Sequence, residues 1–373
     1  MVCLFGFTAG MLKDGKQNVG SIRTLLAIAV VFAHSYGFIF VGGTLAVQLF
    51  YVISGFLISY ILVEARTYRT ISSFYINRFL RLFPIYWCVA LITIIAVLFA
   101  SLTFDETHLI VSTFNSLGFD GKLSLGLSNL LLLGQDWIMF TGVRDGEFQF
   151  VTDFIQSEVQ VWQGLVVPQA WTLGVELSFY LIAPFVLIRR NLMLVLLICS
   201  LVLRGYLIYI GLGTKDPWTY RFFPTELALF LLGACAHQFL KPLYEKKGLL
   251  TENLSTVLTL FIFLYCIVFF LLPYRGINTI ALIGAFILFL PYLFMFQSTN
   301  RWDRKIGELS YPIYISHMLV IWTFGYIIGK LGIEYNSLTG SLLIVFITII
   351  FSQIINLSIG KFFETIRTKV KTL

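Results

Sequence analysis

The run TLAVQLFYVISGFLISYILV, residues 44–63, carries no charged side chain over 20 positions. As a helix it extends about 30 Å, the thickness of a bilayer's hydrocarbon core. A helix apolar all round its circumference has no water-facing side, so it belongs in a membrane or a large core. Similar runs recur along the chain at 24–41, 82–103, 166–188, 192–210, 223–240, 254–272, 279–297, 309–328 and 338–360, which makes ten expected spans. Of the 373 residues, 58% are hydrophobic and 12% charged, and mean hydropathy is +0.88. A soluble domain carries about 25% charged residues; half that fraction cannot cover a water-facing surface. The expectation is an all-α, polytopic membrane helix bundle, multi-pass in the inner (cell or plasma) membrane. It forms a single domain over 1–373 with no appended soluble domain. Disorder, a disulfide scaffold and a nucleic-acid-binding domain do not fit this composition.

The five cysteines, Cys3, Cys88, Cys199, Cys235 and Cys266, are far apart in sequence and contain no CxxC pair. They read as small apolar residues, and no zinc or redox site is expected. Lys13, Lys16 and Arg23 precede the first apolar run without a small-residue cleavage pattern after it, so that run is expected to stay as a membrane helix.

The net charge of +7 is read through sidedness. With ten spans and both termini cytoplasmic, the inside segments hold Lys13, Lys16, Arg23, Arg66, Arg69, Arg78, Arg81, Arg189, Arg190, Lys241, Lys246, Lys247, Arg301, Arg304, Lys305, Lys361, Arg367, Lys369 and Lys371. Outside lie only Lys122, Arg144, Lys215, Arg221, Arg275 and Lys330. This is the asymmetry that the positive-inside rule requires. An eleventh crossing at 123–142 would abolish it, so that segment is expected to be re-entrant or to lie on the outer surface. The loop after it holds Asp145, Glu147, Asp153 and Glu158 and reads as acidic and external.

Polar groups within the spans carry the chemistry, because each is expensive in lipid and needs a partner or a cavity. Arg23 and His34 are eleven residues apart, which places them about 20° apart on one helix face and about 16 Å apart along it. Such a His reads either as a general base near mid-membrane or as a hydrogen bond to a neighbouring helix. Ser54-Gly55 interrupts an aromatic-rich helix and allows close packing and a polar contact across it. Arg78 and Arg81, at i and i+3 before Pro84, form a guanidinium pair suited to phosphate or to anchoring at the interface. Glu176, five residues after Trp171, needs a cationic partner; Arg204 on the next span is the expected one. Glu176 also has the chemistry to orient His34, as carboxylates orient imidazoles in hydrolase triads. His317, seven residues after Ser310, lies nearly on its face and reads as a cavity residue or a packed histidine. His237 and His108 read as structural or surface residues, and Arg221 and Glu226 as possible acceptor contacts at an outer entrance.

Taken together, these segments resemble the acyltransferase 3 family of integral membrane acyltransferases. The resemblance runs from about Arg23 to His317 and beyond. It rests on Arg23-x10-His34, on LFYVISGFLI with Ser54, and on Arg78-x-x-Arg81 before Phe83-Pro84. It rests further on Trp171-Thr-Leu-Gly-Val-Glu176, where Thr172 replaces the family's usual Ser, and on SYPIYISH ending at His317. The resemblance implies transfer of an acyl group, usually acetyl, from cytoplasmic acetyl-CoA or another acyl-CoA to a hydroxyl. The implied acceptor is a surface or exported saccharide or lipid-linked glycan, such as O-antigen or exopolysaccharide. His34 would be the catalytic base with Glu176 beside it. Arg23, Arg78 and Arg81 would hold the donor's phosphates, and Ser54, Trp171, Arg204 and His317 would line the acceptor cavity. No metal is implied. The competing reading is a transporter or exporter of a glycolipid or oligosaccharide. Ten helices with buried charges suit it too, but the repeats and paired broken helices common in transporters are not seen.

Overall fold

The structure, a computed structural model, describes residues 20–104, 107–213 and 215–370. Cys3, Lys13, Lys16 and Lys371 lie outside the described residues. The chain runs through α1 (Gly20–Ser35), α2 (Gly42–Ser59), α3 (Ile71–Phe104), α4 (Leu109–Ser116), α5 (Phe119–Leu131) and α6 (Gln135–Ile138). A hairpin of β1 (Thr141–Arg144) and β2 (Glu147–Phe150) follows. Then come α7 (Trp171–Val186), α8 (Arg190–Tyr209), α9 (Phe223–Cys235), α10 (Lys241–Lys246), α11 (Glu252–Val268), α12 (Arg275–Thr299), α13 (Arg301–Gly307), α14 (Ser310–Lys330), α15 (Leu338–Ile355) and α16 (Lys361–Val370).

This is a polytopic helical membrane protein. Each of the ten expected runs contains a helix, although the run at 24–41 is helical only to Ser35 and α7 covers only Trp171–Val186 of 166–188. Eight continuous helical stretches among the described residues are long and apolar enough to cross a bilayer. The other two, α1 and α7, have 16 residues each and extend only about 24 Å. The segment 123–142 does not form one helix. Leu132 (φ +60°) and Gly134 (φ +86°) break it between α5 and α6, and the chain then turns into the hairpin. That hairpin departs from the purely helical expectation. Its turn is Asp145-Gly146, with φ of +53° and +76°, the left-handed pair that a two-residue turn between twisted strands requires.

The core is built on α2 and α9. In their membrane stretches, 72% and 67% of residues are buried, against 22% in α8 and 28% in α11. The peripheral helices instead expose rows of large apolar side chains, such as Ile198, Val202, Leu260 and Leu264, as lipid contact demands. One of the free cysteines, Cys199, faces outward with them, while Cys266 is buried. The α2–α9 contact depends on small residues. A Cβ on Gly55 would lie 1.8 Å from the Phe230 carbonyl oxygen, and one on Gly233 would lie 1.9 Å from that of Val52. Two backbones can meet this closely only through glycine.

Both core helices end in a π turn, Tyr60–Glu64 after α2 and Ala236–Leu240 after α9. These turns bring Glu64 against His237 (2.9 Å) and Lys241 (2.8 Å). His237 also meets the Ser59 hydroxyl at 2.9 Å. The His237 cluster locks the two helix ends together.

Candidate active site

The N-terminal part of α3 starts the site. Arg78 and Arg81 lie one turn apart and face a cavity of about 390 Å³ between α3, the α13–α14 junction and α16. Arg78 is 4% exposed. It donates to the Tyr68 hydroxyl (2.9 Å) and to Asn77 Oδ1 (3.1 Å), and it lies over the Phe74 and Tyr180 rings, 5.8 Å from each centroid. All four neighbours are neutral. Its Nε is buried without a hydrogen-bond partner among the described residues. Lys361 and Arg367 of α16 line the same space, as do Glu308 and Glu364.

Ser310 and Tyr311 line this chamber and also a second, inner one of about 50 Å³. The inner chamber holds Arg23, Phe50, Ser54, Thr172, Glu176 and Tyr314. Ser54 donates to Glu176 Oε1 at 2.8 Å, and the Tyr180 hydroxyl donates to the same oxygen. The Arg23 guanidinium lies 5.8 Å from the Phe50 ring centroid, and its Nε is likewise buried and unpartnered among the described residues. α1 is held at this depth by its N-terminus. The Gly20 and Ser21 amides donate to the two Asp303 carboxylate oxygens at 3.0 and 2.9 Å, which satisfies the open amides of a first turn with a negative charge.

α14 continues the line inward, with Ser310 and Tyr311 first and then Tyr314 and His317 at successive turns. The Tyr314 hydroxyl is 2.9 Å from Thr172 Oγ1 and 3.2 Å from the Gln169 carbonyl. His317 is fully buried, and its Nδ1 is 2.7 Å from the Tyr314 carbonyl oxygen. A carbonyl only accepts, so Nδ1 holds the proton and Nε2 of the neutral ring keeps its lone pair. Among the described residues Nε2 has no partner. The ring beside it is His34, with centroids 5.2 Å apart and planes tilted by 31°.

Several sequence expectations change here. His34 is not in the middle of a span: α1 ends at Ser35, so His34 sits on its last turn and is exposed. Glu176 does not orient it. Glu176 shares the inner chamber with Arg23, and His34 lies eleven residues further along α1, about 16 Å away. The ring beside His34 is that of His317 instead. Arg204 does not pair with Glu176 either. α8 packs on α9, and Arg204 bonds the fully buried Glu226 at 2.9 Å and the Thr225 carbonyl at 3.3 Å. Glu226 is therefore not an acceptor contact. Arg221 holds Asp216 at 2.7 Å and lies 4.3 Å from the Trp171 ring centroid. Trp171 is thereby wedged against Arg221 and Tyr220 rather than open to a chamber.

Sequence reading missed Asn77, Tyr180 and Arg367. Tyr180 follows Glu176 by one turn, a signal that was available. Arg367 read only as one more cytoplasmic cation. Outside the spans, Asp136 is buried beside Gly174 with Oδ1 unpartnered among the described residues, and burial pushes its carboxyl up to about 7.

Residues 17–357 match the family described as an acyltransferase domain. The chain belongs to the acyltransferase 3 family. It is 26% identical over 216 residues to an uncharacterized protein of Aquifex aeolicus, covering 55% of this chain and 89% of that protein. It is also 25% identical over 344 residues to the peptidoglycan O-acetyltransferase OatA of Listeria monocytogenes. That match covers 83% of this chain, which spans half the length of OatA. No solved structure matches. As an acyltransferase 3 member, the protein is a membrane acyltransferase. Arg23, His34, Arg78, Arg81, Glu176 and His317 all lie inside the matched segment, whereas α16 lies beyond its end.

Proposed function

We propose that the protein is a membrane O-acyltransferase that takes an acyl group, acetyl in the simplest case, from cytoplasmic acyl-CoA and passes it to a hydroxyl of a saccharide. The observation that carries this reading is the pair of joined chambers. An arginine-lined space of about 390 Å³ meets a narrow one containing Arg23, Ser54 and Glu176 through the shared Ser310 and Tyr311. The wide chamber suits the phosphates of coenzyme A, because guanidiniums bind phosphate through paired, charge-assisted hydrogen bonds. The narrow chamber suits the pantetheine arm, whose thioester then points along α14 towards His317 and His34. The relative OatA supports acetyl as the group and a glycan as the acceptor.

In this scheme His34 removes the proton of the acceptor hydroxyl. The oxygen attacks the thioester carbonyl, the carbon–sulfur bond breaks, and the thiolate recovers a proton as coenzyme A leaves. The neutral His317 offers Nε2 as a second acceptor next to His34. Such base catalysis contributes roughly 10²–10⁴-fold. Membranes containing the protein, given acetyl-labelled acetyl-CoA and cell-surface glycans, should release free coenzyme A and label glycan hydroxyls. Intact donor together with movement of unmodified glycan across the membrane would identify a transporter instead.

A further inference from the structure

We propose that Arg367, on the C-terminal helix α16, binds the outermost phosphate of the donor and makes the site selective for a donor with a phosphate beyond its pyrophosphate, as on the ribose of coenzyme A. This rests on the acyl-CoA reading given above and extends it to a residue outside the family-matched segment 17–357.

α3 sets the depth scale of the wide chamber. Arg78 comes first, Arg81 follows one turn further in, and Pro84 and Ile85 lie beyond it. The Tyr311 hydroxyl lies at that deep end, held by its donation to the Leu82 carbonyl at 2.6 Å, beside the narrow chamber that Tyr311 also lines. Arg367 belongs to the shallow level. Its Nη2 donates to Asn77 Oδ1 at 3.3 Å, the same oxygen that receives Arg78 Nη2 at 3.1 Å. Asn77, fully buried, returns a hydrogen bond from its amide to the Arg367 carbonyl at 3.2 Å. One asparagine thus holds two guanidiniums side by side and ties α16 to α3.

Like charges placed together repel unless an anion lies between them. Glu364 offsets part of the Arg367 charge through a contact with Nη1. The chamber still collects Arg78, Arg81, Lys361 and Arg367 against Glu308 and Glu364. The Nε atoms of Arg78 and Arg367 are both buried and lack partners among the described residues. Two unmet donors on adjacent guanidiniums suit a phosphate with several oxygens. A donor that enters thioester first leaves its ribose phosphate at the shallow level, between Arg78 and Arg367, and its pyrophosphate deeper, near Arg81.

The test compares acetyl-CoA with acetyl-3′-dephospho-CoA on the purified full chain in lipid nanodiscs, measuring KM and direct binding. The wild type should prefer acetyl-CoA. Arg367→Ala should weaken acetyl-CoA by about tenfold or more, the scale of a lost charged hydrogen bond, and leave the dephospho donor nearly unchanged. Arg367→Lys should keep part of the preference. Arg367→Gln, which retains a donor for Asn77, serves if the alanine variant does not fold. Equal weakening of both donors would make Arg367 a structural residue and overturn the proposal, as would an unchanged preference. A wild type that binds neither donor would overturn the acyl-CoA reading itself.

Discussion

At the scale of single residues, neighbours decide what each group can do. His34 has another imidazole beside it where hydrolase triads have a carboxylate, and His317 is held in one tautomer by the Tyr314 carbonyl. His34→Ala should lower acyl transfer by at least 100-fold, within the range of general base catalysis, while the protein still inserts and purifies normally. Transfer rates that match the wild type would remove the base role. Asp136 makes a different prediction. Its folded carboxyl stays protonated up to about 7, well above the unfolded value of about 3.9. The folded state therefore retains a proton that the unfolded chain releases. This contribution to stability is full below about pH 4 and is lost as pH rises through 7. Thermal melts in detergent should show the wild type weakening over that window and Asp136→Asn weakening less. Parallel curves for the two proteins would contradict the assignment.

At the scale of helices, the site depends on where two contacts place their elements. Gly55 and Gly233 let the backbones of α2 and α9 meet, and a side chain at either would overlap a carbonyl oxygen below 2 Å. No rotamer change relieves a clash with backbone, so Gly55→Val should cost several kcal/mol, a large share of a typical folding stability. It should abolish the monodisperse peak in fluorescence-detected chromatography. Gly284→Val, in α12 with no atom within 4 Å of its Cβ position, is the matched control and should elute normally. The second contact is Asp303 on the first turn of α1. Replacing Asp303 with Ala removes a charged cap costing about 1 kcal/mol or more and frees α1 to slide. Because α1 carries both Arg23 and His34, this variant should lower kcat with little loss of folded protein. Unchanged kcat would show that α1 is positioned by packing alone.

At the scale of the molecule, the charge asymmetry and the chambers make one claim about direction. The arginine chamber is lined by Gly307 and Glu308, directly after Arg304 and Lys305 of α13, on the side that the positive-inside rule assigns to the cytoplasm. Inside-out vesicles given labelled acetyl-CoA should therefore consume it, and sealed right-side-out vesicles should not. Consumption of external donor by right-side-out vesicles would reverse the orientation.

The architecture was legible because a bilayer imposes it through composition. Backbone groups cannot go unpaired in lipid, so each apolar run must become a helix; run lengths and loop charges gave an expected ten, of which eight helical stretches among the described residues are long and apolar enough to span. The motif residues were legible for a related reason: an ionisable group in lipid is costly enough that spacing alone marks it. Partners were not legible, because they are set by which helices pack and at what depth. Glu176 met Ser54 and Tyr180 rather than His34 or Arg204, because α7 lies against α2 at the level of Arg23 while α8 turns Arg204 to α9. Arg367 is 290 residues from Asn77 in sequence, and only the return of the last helix to the N-terminal part of α3 puts the two arginines on one side chain. Local periodicity reports one helix at a time, whereas a site made of six helices exists only after they are packed.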